Sequence, residues 1–256
     1  MGGRESRVMR TDDSPNQREA PVRAHRMRAW IIVALMLVMW SIDLARVWTI
    51  SNHHDLDVFL RAASRLRSGA TGVSIYSDAP AFKRAIASGA FSMKDDTIVW
   101  PYTYTPLIAM LFVPATFLPE SVVQAGWWAV SVFALVLGCW LALRSLGEVT
   151  PPRLALVLLL LYRFQPVETA LRIGQVELVQ FALLATALAA LHLGHERMAG
   201  LALGFAAGLK FFPGLLIALL LWRRRWRAAL WATGTALVLI IGAFAAIGFD
   251  AVGEYL

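Results

Sequence analysis

The sequence contains a single cysteine among its 256 residues, Cys139, which lies inside an apolar run. One thiol excludes an intramolecular disulfide and a cysteine-based zinc site, and it gives no information on redox compartment. Charge is also scarce, at 16% Asp, Glu, Lys and Arg. A glycine-rich phosphate loop followed by a basic residue, an HExxH pattern and an internal repeat are missing. The sequence therefore lacks the usual catalytic motifs of soluble enzymes.

Hydrophobic residues, by contrast, make up 58% of the chain, and the mean hydropathy is +0.60. This is more apolar surface than one soluble core of this length can bury. The apolar runs are continuous and rich in Leu and Ala, whereas the strands of an outer-membrane barrel alternate apolar and polar residues. The composition predicts an all-α, polytopic membrane protein. The net charge of +7 is concentrated in the N-terminal tail and at 223–227, which indicates membrane topology rather than nucleic-acid binding.

At about 20 apolar residues per crossing, we predict seven spans, at 29–49, 102–118, 122–143, 152–164, 177–194, 198–222 and 228–248. Residues 1–28 are predicted to be a disordered basic cytoplasmic tail, and residues 29–256 form the membrane domain. For the short span at 152–164, the alternative is a re-entrant segment that does not cross the membrane. The tail and the cluster at 223–227 can both be cytoplasmic only if an even number of crossings separates them, and this favours a true span.

On this topology the loop 50–101 and the turns at 144–152 and 194–198 are extracytoplasmic, and the turn at 118–121 is cytoplasmic. Within the loop, residues 57–67 predict an amphipathic helix along the membrane surface, ended by Ser68 and Gly69. A weaker helix is predicted over 79–90. Trp100, Tyr102 and Tyr104 follow, where an interfacial aromatic belt is expected.

Asp55 and Asp57 lie just outside the first span, where a carboxylate can act as a general base toward an acceptor hydroxyl. Their alternative role is structural, with Asp55 as the N-cap and Asp57 as a first-turn acid of the loop helix. The adjacent His53 and His54 offer metal ligands, but their spacing is not specific for a metal, and solvated loop residues are the simpler interpretation.

Lys210 lies near the middle of the sixth span, where a charge must face a cavity or a partner. Pro213 predicts local unwinding that turns Lys210 toward an anionic group such as a phosphate. Arg172 is expected to pair with Glu168 or Glu177, an arrangement as consistent with a structural as with a catalytic role. Asp43 and Arg46 are expected to pair with each other.

Together, these residues resemble an ordered set of motifs from glycosyltransferase family 87, over roughly residues 30 to 230. The set consists of Asp55-Leu56-x-Val58-Phe59, Ala62-Ala63, Gly69, Tyr76, Tyr102-x-Tyr104-x-Pro106-Leu107, Gly174-Gln175, Ala199-Gly200-x-x-x-Gly204, Gly208-Leu209-Lys210-x-x-Pro213 and Arg223-Arg224-Arg225-Trp226. The resemblance implies a C-type membrane glycosyltransferase architecture. It further implies transfer of a hexose, with mannose favoured, from a polyprenyl-phosphate carrier to a lipid or glycan hydroxyl, with inversion.

The resemblance implies that Asp55 is the catalytic base, with Asp57 as the fallback. The candidate substrate-binding residues are His54, Arg61, Tyr104, Arg172, Gln175, Glu177 and Lys210. No metal or other cofactor is required by this scheme, and the expected partners are the lipid-linked donor, the acceptor and membrane lipids. The implied location is a bacterial plasma membrane, with the site on the extracytoplasmic face.

Two features depart from the family pattern. Glu177 stands where the family commonly has asparagine, which alters the local charge or the acceptor contacts. Family members are also longer, with further spans after the seventh, and this leaves open a C-terminal truncation.

The alternative function is a lipid or solute transporter in which Lys210, Glu177 and Arg172 line the translocation path. Inverted repeats and paired broken helices are typical of transporters, and neither is recognisable in the sequence. A noncatalytic scaffold would leave Lys210 unexplained.

Overall fold

The computed structural model describes residues 15–69, 74–88 and 100–255, and the regular structure within these ranges is entirely helical. The α-helices are α1 Pro15–Thr49, α2 His54–Ser68, α3 Ala79–Ala87, α4 Pro106–Phe112, α5 Glu120–Ser145, α6 Pro151–Leu161, α7 Gln165–Ile173, α8 Glu177–His192, α9 Glu196–Leu209, α10 Leu215–Trp222, α11 Trp226–Ile247 and α12 Asp250–Tyr255. Two 3₁₀ helices, Pro114–Phe117 and Phe212–Gly214, follow α4 and α9. The protein is an all-α membrane protein, as the composition predicted.

Three helices in the described ranges, α1 from Met27 together with α5 and α11, are long and apolar enough to cross a membrane. The pair α6 and α7 would be a fourth, but it is bent by 66° at its break. Pro106–Phe117, α8 and Phe212–Trp222 are apolar and shorter. The seven predicted spans therefore correspond to three long helices and a set of short or broken ones.

Helix α1 begins at Pro15, so residues 15–28 are helical although they were predicted to belong to a disordered tail. Extending a helix that already exists avoids the cost of nucleation, and a polar extension of a membrane span can therefore stay helical. Residues 1–14 lie outside the described residues.

Helices α9 and α11 run parallel and in direct backbone contact. A Cβ built on Gly200 would lie 2.5 Å from the Ala228 carbonyl oxygen, and one on Gly204 would lie 2.5 Å from that of Ala232. Four residues further along α9, the contact also moves four residues further along α11. The two helices therefore run in the same direction and begin at the same end of the molecule. Small residues at this spacing are what allows helix backbones to approach closely in membranes.

Because of this pairing, the predicted topology of residues 194–227 is wrong. Arg225 Nη1 lies 3.1 Å from Glu196 Oε1, and the Arg197 guanidinium stacks 4.6 Å from the centre of the Trp231 ring. The turn before α9 therefore lies at the same end as the arginines at 223–227, not at the opposite face. The segment predicted as one crossing is broken at Lys210, so α9 and α10 form a helical hairpin.

The segment 102–118 is likewise not a crossing. Near its start, the Tyr104 hydroxyl donates to Asp55. Just after its end, Glu120 lines a groove together with Asp57. Asp55 and Asp57 belong to the same turn of α2, so the segment leaves this helix and returns to it. Its end is held there by Arg67, whose Nη1 donates to the Thr116 carbonyl oxygen at 2.8 Å.

Helix α5 consequently starts beside α2 and runs away from it. It lies parallel to α8: Trp127 Nε1 donates to the Gly174 carbonyl oxygen at 2.8 Å, and a Cβ on Gly138 would collide with the Phe181 ring. The turn at 145–151 therefore lies at the end that holds 192–196 and 222–226. We call this the basic end, since it carries Arg144, Arg153, Arg197, Arg223, Arg224, Arg225 and Arg227. The opposite end holds the start of α2 and the residue Lys210, and we call it the site end.

Candidate active site

Helix α2 enters the site end through a bent connection. His53 has φ 49°, and the backbone N–H groups of Asn52 and His53 both donate to the Arg172 carbonyl oxygen at 3.2 Å. That carbonyl belongs to the last turn of α7, where backbone acceptors lack helical partners. The chain end of α7 thus fixes where α2 begins.

The predicted loop helix is confirmed and is slightly longer than expected. It spans His54–Ser68 and ends at Gly69, which has φ 57°, a conformation that favours glycine. Leu56, Phe59 and Ala63 on one face are fully buried. The second predicted helix is also present as α3, and its expected end near residue 89 lies outside the described residues.

Gly174 is the point at which α7 approaches α2 most closely. Its φ of 77° is left-handed, and an added Cβ would lie 2.9 Å from Leu56 Cβ. Glycine alone satisfies both constraints, since any side chain would displace α2 next to Asp55. This local geometry also presents Gln175 to the site.

Asp55 is half-buried. The Tyr104 hydroxyl donates to Asp55 Oδ2 at 2.9 Å, and the Gln175 side chain is close enough to favour the charged carboxylate. Burial raises the pKa of the Asp55 carboxyl above its ordinary value, while Tyr104 and Gln175 oppose that rise. The result is a fixed carboxylate in a partly desolvated environment, as a general base requires.

Lys210 lies in the interruption after α9, with extended backbone angles of φ −150° and ψ 134°. Helical unwinding at this position was predicted from Pro213, and it is confirmed. The Lys210 Nζ lies 2.6 Å from Glu177 Oε1 and 5.4 Å from the centre of the Tyr104 ring. Thr105 Oγ1 donates to the Gly208 carbonyl oxygen at 2.7 Å, so the aromatic segment is tied to the end of α9.

Five of the predicted site residues thus come together from four separate segments: Asp55, Tyr104, Gln175, Glu177 and Lys210. We call this set the central cluster. Tyr104 is its middle member, because its hydroxyl contacts the carboxylate and its ring contacts the lysine. The sequence placed Tyr104 among the candidates, but it gave no signal that Tyr104 joins Asp55 to Lys210.

The other predicted residues do not join this cluster. Asp57 and Arg61 line the groove on the far side of α2, where burial and then the nearby Glu120 carboxylate raise the pKa of Asp57. The His54 ring packs edge-to-face on Trp100, with the ring centres 5.2 Å apart. Arg172 takes part only through its backbone carbonyl, which accepts from the N–H groups of Asn52 and His53.

The ion pair expected of Arg172 is not formed in the described part of the chain, because both of its predicted partners are paired elsewhere. Glu168 accepts from Arg46 Nη2 at 2.8 Å, and Glu177 pairs with Lys210. The predicted pair of Asp43 and Arg46 is confirmed at 3.0 Å. Within the residues that the structure describes, no group of three or more His, Cys, Asp and Glu side chains is placed to hold a metal ion.

These features define a helical membrane protein with a carboxylate, phenol, amide and lysine cluster at one end of its helices. Residues 102–256 match the family model of glycosyltransferase family 87, so the chain belongs to this family. It is also 29% identical over 223 residues to a "polyprenol-phosphate-mannose-dependent alpha-(1-2)-phosphatidylinositol pentamannoside mannosyltransferase" of Mycolicibacterium smegmatis. The alignment covers 84% of this chain and 49% of that protein, so the chain spans about half the length of its relative. No solved structure matches the chain.

Proposed function

We propose that the chain forms part of a membrane glycosyltransferase that moves a hexose, with mannose favoured, from a polyprenyl-phosphate carrier to a hydroxyl of a lipid or glycan acceptor. The family membership and the activity stated in the relative's name support this class of reaction. The observation that carries the proposal is the central cluster, in which Tyr104 joins a half-buried, hydrogen-bonded carboxylate to a lysine.

In the proposed mechanism Asp55 is the base. It accepts the proton of the acceptor hydroxyl as that oxygen attacks the anomeric carbon of the donor sugar. The bond between the anomeric carbon and the phosphate oxygen breaks on the opposite side, and the polyprenyl phosphate leaves with the electron pair. Attack from the face opposite the leaving group inverts the anomeric configuration.

Lys210 is the better candidate for stabilising the negative charge on the departing phosphate. It lies in the same cluster as Asp55, at the C-cap of α9 where the chain becomes extended, and a fixed cation is effective where charge develops in the transition state. Glu177 holds Lys210 in place when no phosphate is bound. Arg172, the other cation considered, has only its backbone in this arrangement.

The distribution of charge supports an extracytoplasmic site. Cytoplasmic loops of membrane proteins are enriched in Lys and Arg, and the basic end carries three connecting turns with arginines. The site end carries charges of both signs, with Asp55, Asp57, Glu120 and Glu177 beside Arg61, Arg65, Arg67, Arg172 and Lys210, so the assignment rests on the short turns of the basic end. We therefore assign the basic end to the cytoplasm and the central cluster to the outer face of a bacterial plasma membrane.

One observation favours the transporter alternative: the helices are broken at Lys210 and between α6 and α7. Discontinuous helices are typical of transporters. The two functions differ in a measurable way. A glycosyltransferase forms a new glycosidic bond in detergent solution, where no compartments exist, whereas a transporter has no activity there.

The proposal is tested by transfer of radiolabelled mannose from polyprenyl-phosphate-mannose to lipid acceptors, with wild type compared with Asp55→Asn at matched expression. General-base catalysis contributes about 10²–10⁴-fold, so Asp55→Asn should lose at least about 100-fold. Asp250→Asn, an exposed carboxylate in α12, is the matched control and should keep wild-type activity. Equal activity in Asp55→Asn and wild type would remove Asp55 from the mechanism.

A further inference from the structure

Helix α7 is held at both of its ends to the chain that leads into α2. In its first turn, Glu168 Oε1 accepts from Arg46 Nη2 of α1 at 2.8 Å. In its last turn, the Arg172 carbonyl oxygen accepts from the N–H groups of Asn52 and His53 at 3.2 Å. The connection between α1 and α2 lies between these two contacts, so α7 spans it from one side to the other.

Arg46 is the centre of the charge network that forms the first of these contacts. Its Nε donates to Asp43 Oδ1 at 3.0 Å while its Nη2 donates to Glu168, so one guanidinium joins carboxylates of two helices. The Asp43 side chain is only 10% exposed. Donors on separate nitrogens of a planar guanidinium fix this geometry, which a compact lysine ammonium matches poorly.

The backbone before α7 is consistent with a fixed contact at this position. Arg163, whose Nη1 lies 3.5 Å from Asp43 Oδ1, has φ 55°, a left-handed conformation that is uncommon for residues other than glycine. Such conformations persist where the surrounding contacts determine them. Here those contacts are the ion pairs with α1, which fix the start of α7.

The other end of α7 shapes the surroundings of Asp55. Directly after it, Gly174 lies so close to α2 that an added Cβ would be 2.9 Å from Leu56 Cβ. The Gln175 side chain that follows is close enough to favour the charged Asp55 carboxylate. A displacement of α7 would therefore move both the start of α2 and a group that acts on the proposed base.

The donor side of the site has anchors of its own. Glu177, the partner of Lys210, begins α8, and Gln180 Nε2 of the same helix donates to the Ala206 carbonyl oxygen of α9 at 3.0 Å. This contact joins α8 to α9 without α7. The placement of Asp55 and the binding of the donor can therefore be tested separately.

We propose that Arg46 and Glu168 are positioning residues, whose ion pair holds α7 so that Asp55 is placed to take the proton of the acceptor. The inference rests on the proposed function, since it concerns the base of the same site. Partly buried ion pairs add little to net stability, so their contribution here is to geometry. A misplacement of about 1 Å can cost about 100-fold in rate.

The kinetic test compares Arg46→Met with wild type in mannose transfer by the full chain in detergent. Arg46→Met should lower kcat by about tenfold to 100-fold and leave the KM for polyprenyl-phosphate-mannose unchanged. Arg46→Lys keeps the charge without the planar fork and should lie between the two. Arg225→Met, which removes the ion pair with Glu196 at the basic end, is the matched control and should keep both wild-type constants.

The pH profile distinguishes positioning from a general loss of structure. The groups around the Asp55 carboxyl are Tyr104, Gln175, Glu177 and His54, with Lys210 beside the Tyr104 ring. Gln175 lowers the pKa of Asp55, so its withdrawal in Arg46→Met should raise that pKa and move the acid limb of kcat/KM to higher pH. Gln175→Met should cause the same shift, and the double variant should shift no further. An acid limb that stays in place in Arg46→Met would overturn the inference.

Hydrogen–deuterium exchange tests the same contact without any sugar transfer. The amides of Asn52 and His53 should exchange about tenfold faster in Arg46→Met, because their acceptor is displaced, and at the wild-type rate in Arg225→Met. Faster exchange supports the placement of α2 by the ion pair even if the chain transfers no sugar, in which case only the proposed function fails. Unchanged exchange, or an unchanged kcat in an active enzyme, would overturn the inference and leave the transferase function intact.

Discussion

Glu177 is the side chain at which the sequence was expected to depart from the family pattern. Its carboxylate lies 2.6 Å from Lys210 Nζ, so the proposed phosphate-binding cation has an internal partner. A phosphate that pairs with Lys210 must therefore either share the ammonium group with Glu177 or displace it. Glu177 therefore neutralises the charge of Lys210 until the donor binds.

This pairing predicts how Lys210 and Glu177 variants differ. Lys210→Met should weaken donor binding about tenfold or more, and combining it with Glu177→Gln should not restore that binding. The free energy of unfolding, in contrast, should fall in each single variant and recover in the double variant. Each single variant leaves an unpaired charge, and the double variant does not. The Lys210 side chain is 43% exposed, so solvent screening limits the stability effect to about 1 kcal/mol or less.

Thermal unfolding in detergent and donor titration measure the two effects separately. The pair of Glu196 and Arg225 at the basic end provides the matched control, since Arg225→Met removes a similar ion pair without contact to the cluster. Donor binding that is lost equally in Lys210→Met and Arg225→Met would show that Lys210 has no specific role.

Tyr104 predicts a pH effect through its hydrogen bond to Asp55. That bond stabilises the carboxylate and lowers the pKa of Asp55, so Tyr104→Phe should raise it further. A base must be ionised to act, and activity falls as pH decreases through its pKa. The acid limb of the pH profile of kcat/KM should therefore move to higher pH in Tyr104→Phe.

The control for this prediction is Tyr162→Phe, in the connection after α6, which should leave the acid limb in place. A Tyr104→Phe profile that is lower at every pH but unshifted would mean that Tyr104 does not act on Asp55.

In the described part of the chain, the glycines that lie closest to the backbone of another helix are those of α9, which packs against α11. Gly204 lies so close to α11 that a Cβ would be 2.5 Å from the Ala232 carbonyl oxygen and 2.6 Å from Thr235 Cβ. Gly204→Ala should therefore destabilise the protein by about 1–3 kcal/mol through overpacking. Since α9 ends directly before Lys210, we also expect reduced donor affinity.

Gly234 on α11 is the matched control, because nothing lies within 4 Å of a Cβ added there. Gly234→Ala should be neutral or stabilising, by roughly 0.5–1 kcal/mol, as expected for alanine in place of glycine within a helix. Thermal unfolding of both variants in the same detergent checks the pair. Equal unfolding temperatures would contradict the proposed backbone contact.

The helices also show what sequence pattern can and cannot predict. The surface helix α2 was predicted closely because its apolar spacing and Gly69 are local signals. The segments 102–118 and 198–222 were predicted as crossings because hydropathy measures length and not direction. Whether a chain crosses or folds back depends on contacts such as those of Arg67 with Thr116 and of Glu196 with Arg225, which join distant residues.

For the whole molecule, the same difference between local sequence signals and long-range contacts explains which features of the site could be predicted. Asp55, Lys210, Gln175 and Glu177 were recognisable as polar residues at unusual positions. Tyr104 was expected in an interfacial aromatic belt and also belongs to the motifs that resemble the family. Their assembly depends on the return of residues 106–117 to α2 and on the break at Lys210. Asp57 was grouped with Asp55 because they are neighbours in sequence, but adjacent positions on a helix face different surroundings.

The arrangement of the two ends makes one further prediction, on membrane sidedness. Because α5 and α8 run away from the site end together, the turns containing Glu148 and His195 should be on the same side of the membrane as Arg224. Hydropathy and parity alone placed these two turns on the opposite side, together with the loop that contains Lys83. The contacts thus reverse the predicted orientation of α5 and α8, and they remove the arginines at 144, 153 and 197 from the outer face.

Single-cysteine labelling decides between the two topologies, because Cys139 is the only native thiol. In a Cys139→Ser background, Glu148→Cys and His195→Cys should react with a membrane-impermeant maleimide in inverted vesicles, as should Arg224→Cys. Lys83→Cys should react in right-side-out vesicles. Labelling of Glu148→Cys and His195→Cys together with Lys83→Cys would restore the topology based on hydropathy. It would also mean that the ion pair between Glu196 and Arg225 does not form in the membrane, since no bilayer can separate two side chains 3.1 Å apart.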